Sequence, residues 1–372
     1  MQLMNKSLQI IPSNFNFSKI LLSWHKKDNK RTMPWKGEKD PYKIWLSEII
    51  LQQTRVEQGL NYYNKFIEKF PTIKHLAKAK DDEVFKLWEG LGYYSRCKNL
   101  LFSAREVVDK YEGIFPILYD DIIKLKGVGK YTTAAIASFA YNKPYAVLDG
   151  NVFRVLARIY GINKAIDTRE GKLFFENLSQ DLLDVKKPAL YNQAIMDFGA
   201  TICKPKLPEC DICPIIKVCK AYKQNKISSY PIKEKKIQVQ TRWMNYVIIR
   251  FNNQVLIRKR TEKDIWQNLH EFYLMENNQV EKNIDKIFFE KELKKIFKKN
   301  KLIISSISKQ QQQKLTHRTI KGYFVEIKLE QKIEVENYFW IDENELNKYS
   351  FPKFINEFIY NSSLSLKTIL FS

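Results

Sequence analysis

Four of the five cysteines in this 372-residue chain fall between Cys203 and Cys219, spaced Cys203-x6-Cys210-x2-Cys213-x5-Cys219. So dense a group is a metal-ligand set rather than the scattered framework of a secreted disulfide scaffold. Zinc usually takes two paired C-x2-C knuckles. Here one pair is flanked by two single cysteines, which better suits four thiolates on an iron–sulfur cubane, with zinc the alternative. Lys204, Lys206, Lys217 and Lys220 are interleaved with the ligands, so the segment would tie up the end of a domain while projecting cations. Cys97 stands alone. No run of about 18 apolar residues occurs, and the N-terminus lacks the basic, apolar, small-residue order of a signal peptide. The expectation is a cytoplasmic chain, in a reducing compartment and without membrane association.

The stretch Leu125 to Asn151, LKGVGKYTTAAIASFAYNKPYAVLDGN, is the second constraint. Lys126-Gly127-Val128-Gly129-Lys130 is a Gly-x-Gly turn opening a helix over 131–141. Its glycines let the backbone approach a ligand closely, and the first N–H groups of the helix are free for a phosphate oxygen. Such a turn alone is about as often structural as functional. At the far end, Asp149-Gly150-Asn151 follows a strand-like run at 146–148 and caps a helix over 152–160, and capping by itself accounts for either polar residue. The balance of 63 Lys and Arg against 41 Asp and Glu, net +22, fits nucleic acid, although a generally basic surface gives the same total.

Upstream, residues 15–30 predict a short amphipathic helix and 31–41 (RTMPWKGEKDP) a broken loop. From Tyr42 the apolar spacing predicts two helices meeting near Thr54, with Glu48 inside the apolar part of the first. Burial disfavours a charged carboxylate and raises its pKa, which suits a proton donor at neutral pH. A glutamate on a polar helix face is the plainer alternative. Helices over 81–90 and 93–111 flank Gly90-Leu91-Gly92, where Tyr93, Tyr94 and Arg96 suit either a wedge for a base stack or an ordinary core. Further helices over 170–203 lead into the cysteines.

Residues 220–240 are polar and basic and read as a linker. Beyond them, 243–250 and 254–260 alternate about Asn252-Asn253 as a β-hairpin, 281–299 is an amphipathic basic helix, and 314–329 and 335–341 are strands. Chain length and 44% hydrophobic content allow two or three domains.

In this order, SEIILQQTRV, WEGLGYYSR, LKGVGKYTTAAI, LDGNVFRVLAR, YNQAIMDFGATIC and the cysteine cluster resemble adenine DNA glycosylases of the MutY family over residues 30–220, and more loosely beyond 240. The resemblance implies a mainly α helix-hairpin-helix glycosylase fold of two helical subdomains (1–222), with a [4Fe-4S] cluster on the loop 203–219. A linker (223–240) and an α+β Nudix-like domain (241–372) that recognises 8-oxoguanine would follow. It also implies a monomer acting on double-stranded DNA carrying A opposite 8-oxoguanine or A opposite G, with the target base flipped from the stack.

By the same resemblance, Glu48 protonates adenine N7 and later activates water, and Asp149 stabilises the oxocarbenium-like cation, the two-carboxylate logic of glycoside cleavage. Tyr131 and Asn151 support them. Trp35, Lys36, Leu51, Val56 and Gln193 line the adenine pocket, Lys36 standing where some relatives carry arginine. Gln53, Thr54, Leu91 and Tyr93 fill or wedge the stack, Lys126, Gly127, Gly129 and Lys130 hold the backbone, and Cys203, Cys210, Cys213 and Cys219 hold the cluster. Endonuclease III, the rival in the superfamily, needs an amine nucleophile where this chain has Tyr131 and lacks a glutamate at the place of Glu48, so a monofunctional glycosylase with little strand cleavage is expected.

In the C-terminal part, Leu315-Thr316-His317 resembles the Phe-Ser-His or Phe-Thr-His loop of the family, which puts Thr316 and His317 on the DNA. A working Nudix box needs glycines and an REXXEE run. After Gly199 the only glycine is Gly322, so pyrophosphatase activity is not expected. A non-catalytic, cluster-bearing DNA-binding protein is the reading from another class, and it leaves Glu48 and Asp149 without a task.

Overall fold

The computed structural model describes residues 15–234, 239–277, 286–297 and 302–361. The chain divides into two compact units, residues 1–78 with 99–236 and residues 79–98 with 237–372. Its helices up to the cysteine loop are α1 (Phe17–Lys27), α2 (Pro41–Leu51), α3 (Val56–Lys69), α4 (Ile73–Lys78), α5 (Asp81–Trp88), α6 (Tyr94–Tyr111), α7 (Tyr119–Ile122), α8 (Lys130–Tyr141), α9 (Gly150–Tyr160), α10 (Arg169–Asp181) and α11 (Pro188–Thr201), with α12 (Lys220–Lys223) after it.

In the first unit, α2 starts where Asp40 accepts from Tyr42 N and Pro41 occupies a position that needs no donor. Every residue from Ile44 to Ile50 is buried. The helix is therefore enclosed on all sides rather than amphipathic, packed on α3 and α8. A second core joins α1, α9, α10 and α11 through Leu21, Trp24, Val155, Leu156, Phe175, Tyr191 and Phe198.

The strand-like run at 146–148 joins no sheet. Side chains replace the ladder: Ala146 N donates to Gln180 Oε1 at 3.0 Å, Val147 N to the buried Asn192 Oδ1 at 3.2 Å, and Ser179 Oγ to Val147 O at 3.1 Å. They hold the extended segment that delivers Asp149 to the start of α9.

The expected linker at 223–240 begins later than its composition suggests. Tyr230 is buried and donates to Asn163 Oδ1 at 2.8 Å, and Ile166 N donates to Ile232 O at 3.0 Å. Residues up to 232 are thus held to the first unit by a phenol hydrogen bond and a backbone bond that the composition does not show, while 235–238 lie outside the described residues.

The second unit is a mixed sheet with, among the described residues, nine strands: β1 (Gln240–Phe251), β2 (Gln254–Lys259), β3 (His270–Glu271), β4 (Tyr273–Asn277), β5 (Leu302–Ile307), β6 (Gln311–Lys314), β7 (Arg318–Gly322), β8 (Phe324–Leu329) and β9 (Phe339–Asp342). β1 turns into β2 at Asn252-Asn253 as the alternation predicts, with Arg250 opposite Val255 and Asn252 at φ 52°. β1 also pairs in parallel with β7 and β8.

Alternate side chains go to opposite faces. Val247, Ile249 and Val325 pack with Phe289 and Leu293 of α13 (Lys286–Ile296). Phe324 stacks on Phe358 of α14 (Lys353–Asn361) with ring centroids 4.1 Å apart.

The strand expected over 314–329 is broken. β6 and β7 are joined by a two-residue turn at Thr316-His317, closed by Leu315 N to Arg318 O at 2.7 Å. Gly322 ends β7 where a Cβ would meet Met244 O at 1.8 Å. Of the strand expected over 335–341, only 339–341 is strand, within β9. The ends of the expected helix 281–299, at 281–285 and 298–299, lie outside the described residues. Residues 79–98 group with this unit rather than with the helices around them: Lys86 Nζ donates to Tyr349 O at 2.9 Å, Phe351 N to Glu89 Oε1 at 2.7 Å, and Lys259 pairs with Asp82 at 2.5 Å. Among the described residues no helix is long and apolar enough to cross a membrane.

Candidate active site

The first unit contains a cavity of about 950 Å³. Glu48, Tyr131, Asp149 and Asn151 line it together with Trp35, Lys36, Leu51, Gln53, Thr54, Val56 and Gln193. Residues from the 31–40 loop, α2, the turn after it, α8, α9 and α11 are thereby brought to one place from distant parts of the sequence.

Glu48 is 8% exposed, in the middle of the enclosed helix α2. Burial pushes its carboxyl up to about 7, a hydrogen bond from Tyr131 pulls it back, and the charge of Asp149 raises it. Burial and the charges of Glu48 and Asp149 hold the Tyr131 phenol well above its ordinary value, so it stays protonated. That hydroxyl also reaches Met196 Sδ at 3.5 Å. A protonated Glu48 can donate to the phenol oxygen while the phenol proton faces the sulfur. An ionised Glu48 takes the phenol proton instead.

Asp149 is treated differently. Burial leaves its carboxyl raised above the ordinary value, while Oδ1 accepts from Val152 N at 2.8 Å and Asn151 N at 2.9 Å, and Oδ2 from Asn151 Nδ2 at 2.8 Å, bonds that favour the ionised form and oppose that rise. These are the orphan amides at the start of α9, so the cap and the acid are one residue. Asn151 is fixed in turn by buried Arg154, which donates to Asn151 Oδ1 and Gly199 O, each at 2.8 Å, and to Cys203 O at 2.7 Å. The guanidinium has only donors, so it sets the amide with its oxygen toward Arg154 and its nitrogen toward Asp149. A Cβ on Gly199 would stand 2.6 Å from Asn151 Cβ, which explains the glycine in DFGAT. Neither Arg154 nor Gly199 stands out in the sequence; the signal available was their place within the motifs LDGNVFRVLAR and YNQAIMDFGATIC.

Cys203, Cys210, Cys213 and Cys219 are free, half-buried, and line one small cavity with Arg158, Phe198 and Ile202. Arg158 donates to Cys203 Sγ at 3.5 Å and to Lys204 O at 2.7 Å, fixing the start of the loop. Burial pushes the Cys213 thiol up to about 12, so ligation would have to expel its proton. Among the described residues no three of His, Cys, Asp or Glu converge on a single metal position. A cubane has no such requirement, since each thiolate binds a different iron. Four sulfurs around one cavity fit that donor set.

At the turn before α8, Gly127 takes φ 82° and the first helical bond runs from Thr133 N to Gly129 O, so the amides of Lys130, Tyr131 and Thr132 lie outside the helical ladder. Lys126 is exposed, with Nζ 4.3 Å from the Phe102 ring centroid, and Lys130 pairs with Glu176 at 2.8 Å. In the second unit Leu91 is buried at 5% exposure, whereas Tyr93 is 42% exposed at φ 50° and hydrogen-bonds Thr316. Thr316 and His317 are both exposed on the β6–β7 turn.

Residues 46–180 match the HhH-GPD superfamily of base excision DNA repair proteins, and residues 245–361 match the NUDIX domain. The chain is 40% identical over 255 residues to the adenine DNA glycosylase of Buchnera aphidicola subsp. Schizaphis graminum, covering 68% of this chain and 73% of that protein. It is 40% identical to human adenine DNA glycosylase over 214 residues, covering 55% of this chain and 39% of that one. The solved structure of a thermostable thymine-DNA glycosylase superposes with a TM-score of 0.53 at 31% identity, covering 59% of this chain and 99% of that one. The chain is a DNA glycosylase and belongs to the adenine DNA glycosylase family of the HhH-GPD superfamily.

Proposed function

We propose that the chain hydrolyses the N-glycosidic bond of adenine mispaired with 8-oxoguanine or guanine in double-stranded DNA, as a monomer and without strand cleavage. The observation that carries this is the pairing, in one cavity, of a buried carboxyl raised to about 7 at Glu48 with a hydrogen-bonded carboxylate at Asp149.

The base must leave the duplex to reach them. Glu48 in its acid form gives its proton to adenine N7, which makes the base a neutral leaving group. Positive charge then develops on the sugar, and ionised Asp149 faces it without needing to move. Glu48, now ionised and hydrogen-bonded by Tyr131, takes a proton from the attacking water and is restored. Trp35, Lys36, Leu51, Val56 and Gln193 hold the base, Gln53 and Thr54 at the mouth fill the gap it leaves, and Leu91 supports the turn that presents Tyr93 to the stack. The absence of an amine at Tyr131 is the reason to expect hydrolysis alone.

Lys126, Gly127, Gly129 and Lys130 take a phosphate, for which Lys130 exchanges its partner Glu176. Cys203, Cys210, Cys213 and Cys219 hold a [4Fe-4S] cluster. Bound there, it would lock the loop that Arg154 ties to Asn151. Thr316 and His317 meet the 8-oxoguanine strand.

The test is base release from duplexes carrying A opposite 8-oxoguanine, A opposite G, or T opposite G, with Glu48→Gln alongside. Release of adenine from the first two and loss of it in the variant are expected. Thymine release without adenine release would overturn the reading.

A further inference from the structure

Asp197 is not part of the cavity wall, yet it governs what the wall presents. Its carboxylate lies fully buried on α11 and takes two donors on each oxygen. Oδ1 accepts from Arg31 Nη1 and from Gln193 Nε2, each at 3.0 Å. Oδ2 accepts from Asn29 Nδ2 at 2.8 Å and from Lys36 Nζ at 3.1 Å. His25 Nδ1 lies 4.0 Å from the same oxygen. Four of these residues, His25, Arg31, Lys36 and Gln193, line the cavity.

A carboxylate between two cations has only lone pairs to offer, so Gln193 can satisfy it only with its amide NH2. The amide carbonyl is then turned away from Asp197, in a side chain that lines the cavity. This is the same device as at Asn151, where Arg154 fixes an amide by being able only to donate. An unanchored glutamine can present either end of its amide to a base and distinguishes donors from acceptors poorly. An anchored one presents a single pattern.

We infer that Asp197 is a specificity-positioning residue: by fixing the Gln193 amide, it sets a hydrogen-bond acceptor against the flipped base and selects a 6-aminopurine over a 6-oxopurine. The exocyclic amine of adenine donates to that carbonyl. The 6-oxygen of hypoxanthine would face it lone pair to lone pair, leaving two buried acceptors unpaired. This rests on the adenine reading proposed above and assigns its base selectivity to a residue outside the cavity wall.

The experiment is single-turnover release of adenine and of hypoxanthine, each opposite 8-oxoguanine in the same duplex, by the wild-type chain, Asp197→Asn and Gln193→Leu. The wild type should favour adenine. Asp197→Asn frees the Gln193 amide to turn, so the adenine-to-hypoxanthine ratio should fall on the order of tenfold, as expected for one base-edge hydrogen bond. Gln193→Leu should lower the ratio likewise. An Asp197→Asn protein that slows both bases by the same factor and keeps the wild-type ratio would mark a merely structural anchor and overturn the inference. If Asp197→Asn fails to fold, Gln193→Leu decides alone, and an unchanged ratio there overturns it. Absence of adenine release by the wild type would instead bring down the adenine reading, and this inference with it.

Discussion

Glu48 and Asp149 line one cavity and burial raises both carboxyls, but the regions that carry them give the charge very different partners. The middle of α2 is buried, and burial, aided by the charge of Asp149 and opposed by a hydrogen bond from Tyr131, lifts Glu48 to about 7. The first turn of α9 surrounds Asp149 with two backbone amides and the Asn151 side chain, and the helix end favours a negative charge there. The lesson is that a proton donor and a charge stabiliser can be made from the same functional group by placing one within a helix and the other at a helix end.

The largest expected effect is that of Glu48→Gln, which keeps the volume and removes the proton donor. Adenine release should fall by about 10²–10⁴-fold, measured by single-turnover base release. Asp149→Asn should cost about 10²–10³-fold while binding of the mispaired duplex persists. If the two substitutions can be exchanged without changing the pattern of pH dependence, the division of roles is wrong.

Linkage separates them further. Glu48 is raised in the folded chain, so its contribution to stability is fully present below its ordinary value of about 4.5 and is lost as pH rises through about 7. Glu48→Gln should therefore gain stability over the wild type between pH 5 and pH 8.5, by on the order of 2–3 kcal/mol in urea unfolding. A pH-independent difference would break the comparison. The smallest effect is expected at Thr316 and His317. Their joint replacement by alanine should leave release of adenine opposite guanine nearly unchanged and reduce only the advantage of 8-oxoguanine, roughly severalfold, as for one or two lost hydrogen bonds.

The sequence makes some of this plain and hides the rest for physical reasons. Glu48 is legible because a charged residue in an otherwise apolar run has to be accounted for, and the cysteines because their spacing is itself chemistry. Asp149 and Asn151 are recognisable as a cap, and here the cap lines the cavity. Arg154, Gly199 and Asp197 are not legible, since their meaning lies in partners far along the chain: Cys203, Asn151, and the 29–36 loop with Gln193. Ala146 to Leu148 look like a strand because the run is apolar, but Gln180, Asn192 and Ser179 supply the bonds a neighbouring strand would have given. Residues 79–98 read as ordinary helices, and nothing local reveals that they pack with residues beyond 237. β3 to β5 go unread because β3 is a single pair of residues and β5 pairs with a register shift between Ile304 and Ser306.

The central claim is that Glu48 works as an acid because burial keeps it protonated near neutrality. The pH dependence of kcat/KM for adenine release reports the protonation of the free enzyme. The rate should fall about tenfold per unit as pH rises past about 7, with that limb missing from the residual activity of Glu48→Gln. A rate that stays level or climbs between pH 7 and 9 would contradict it.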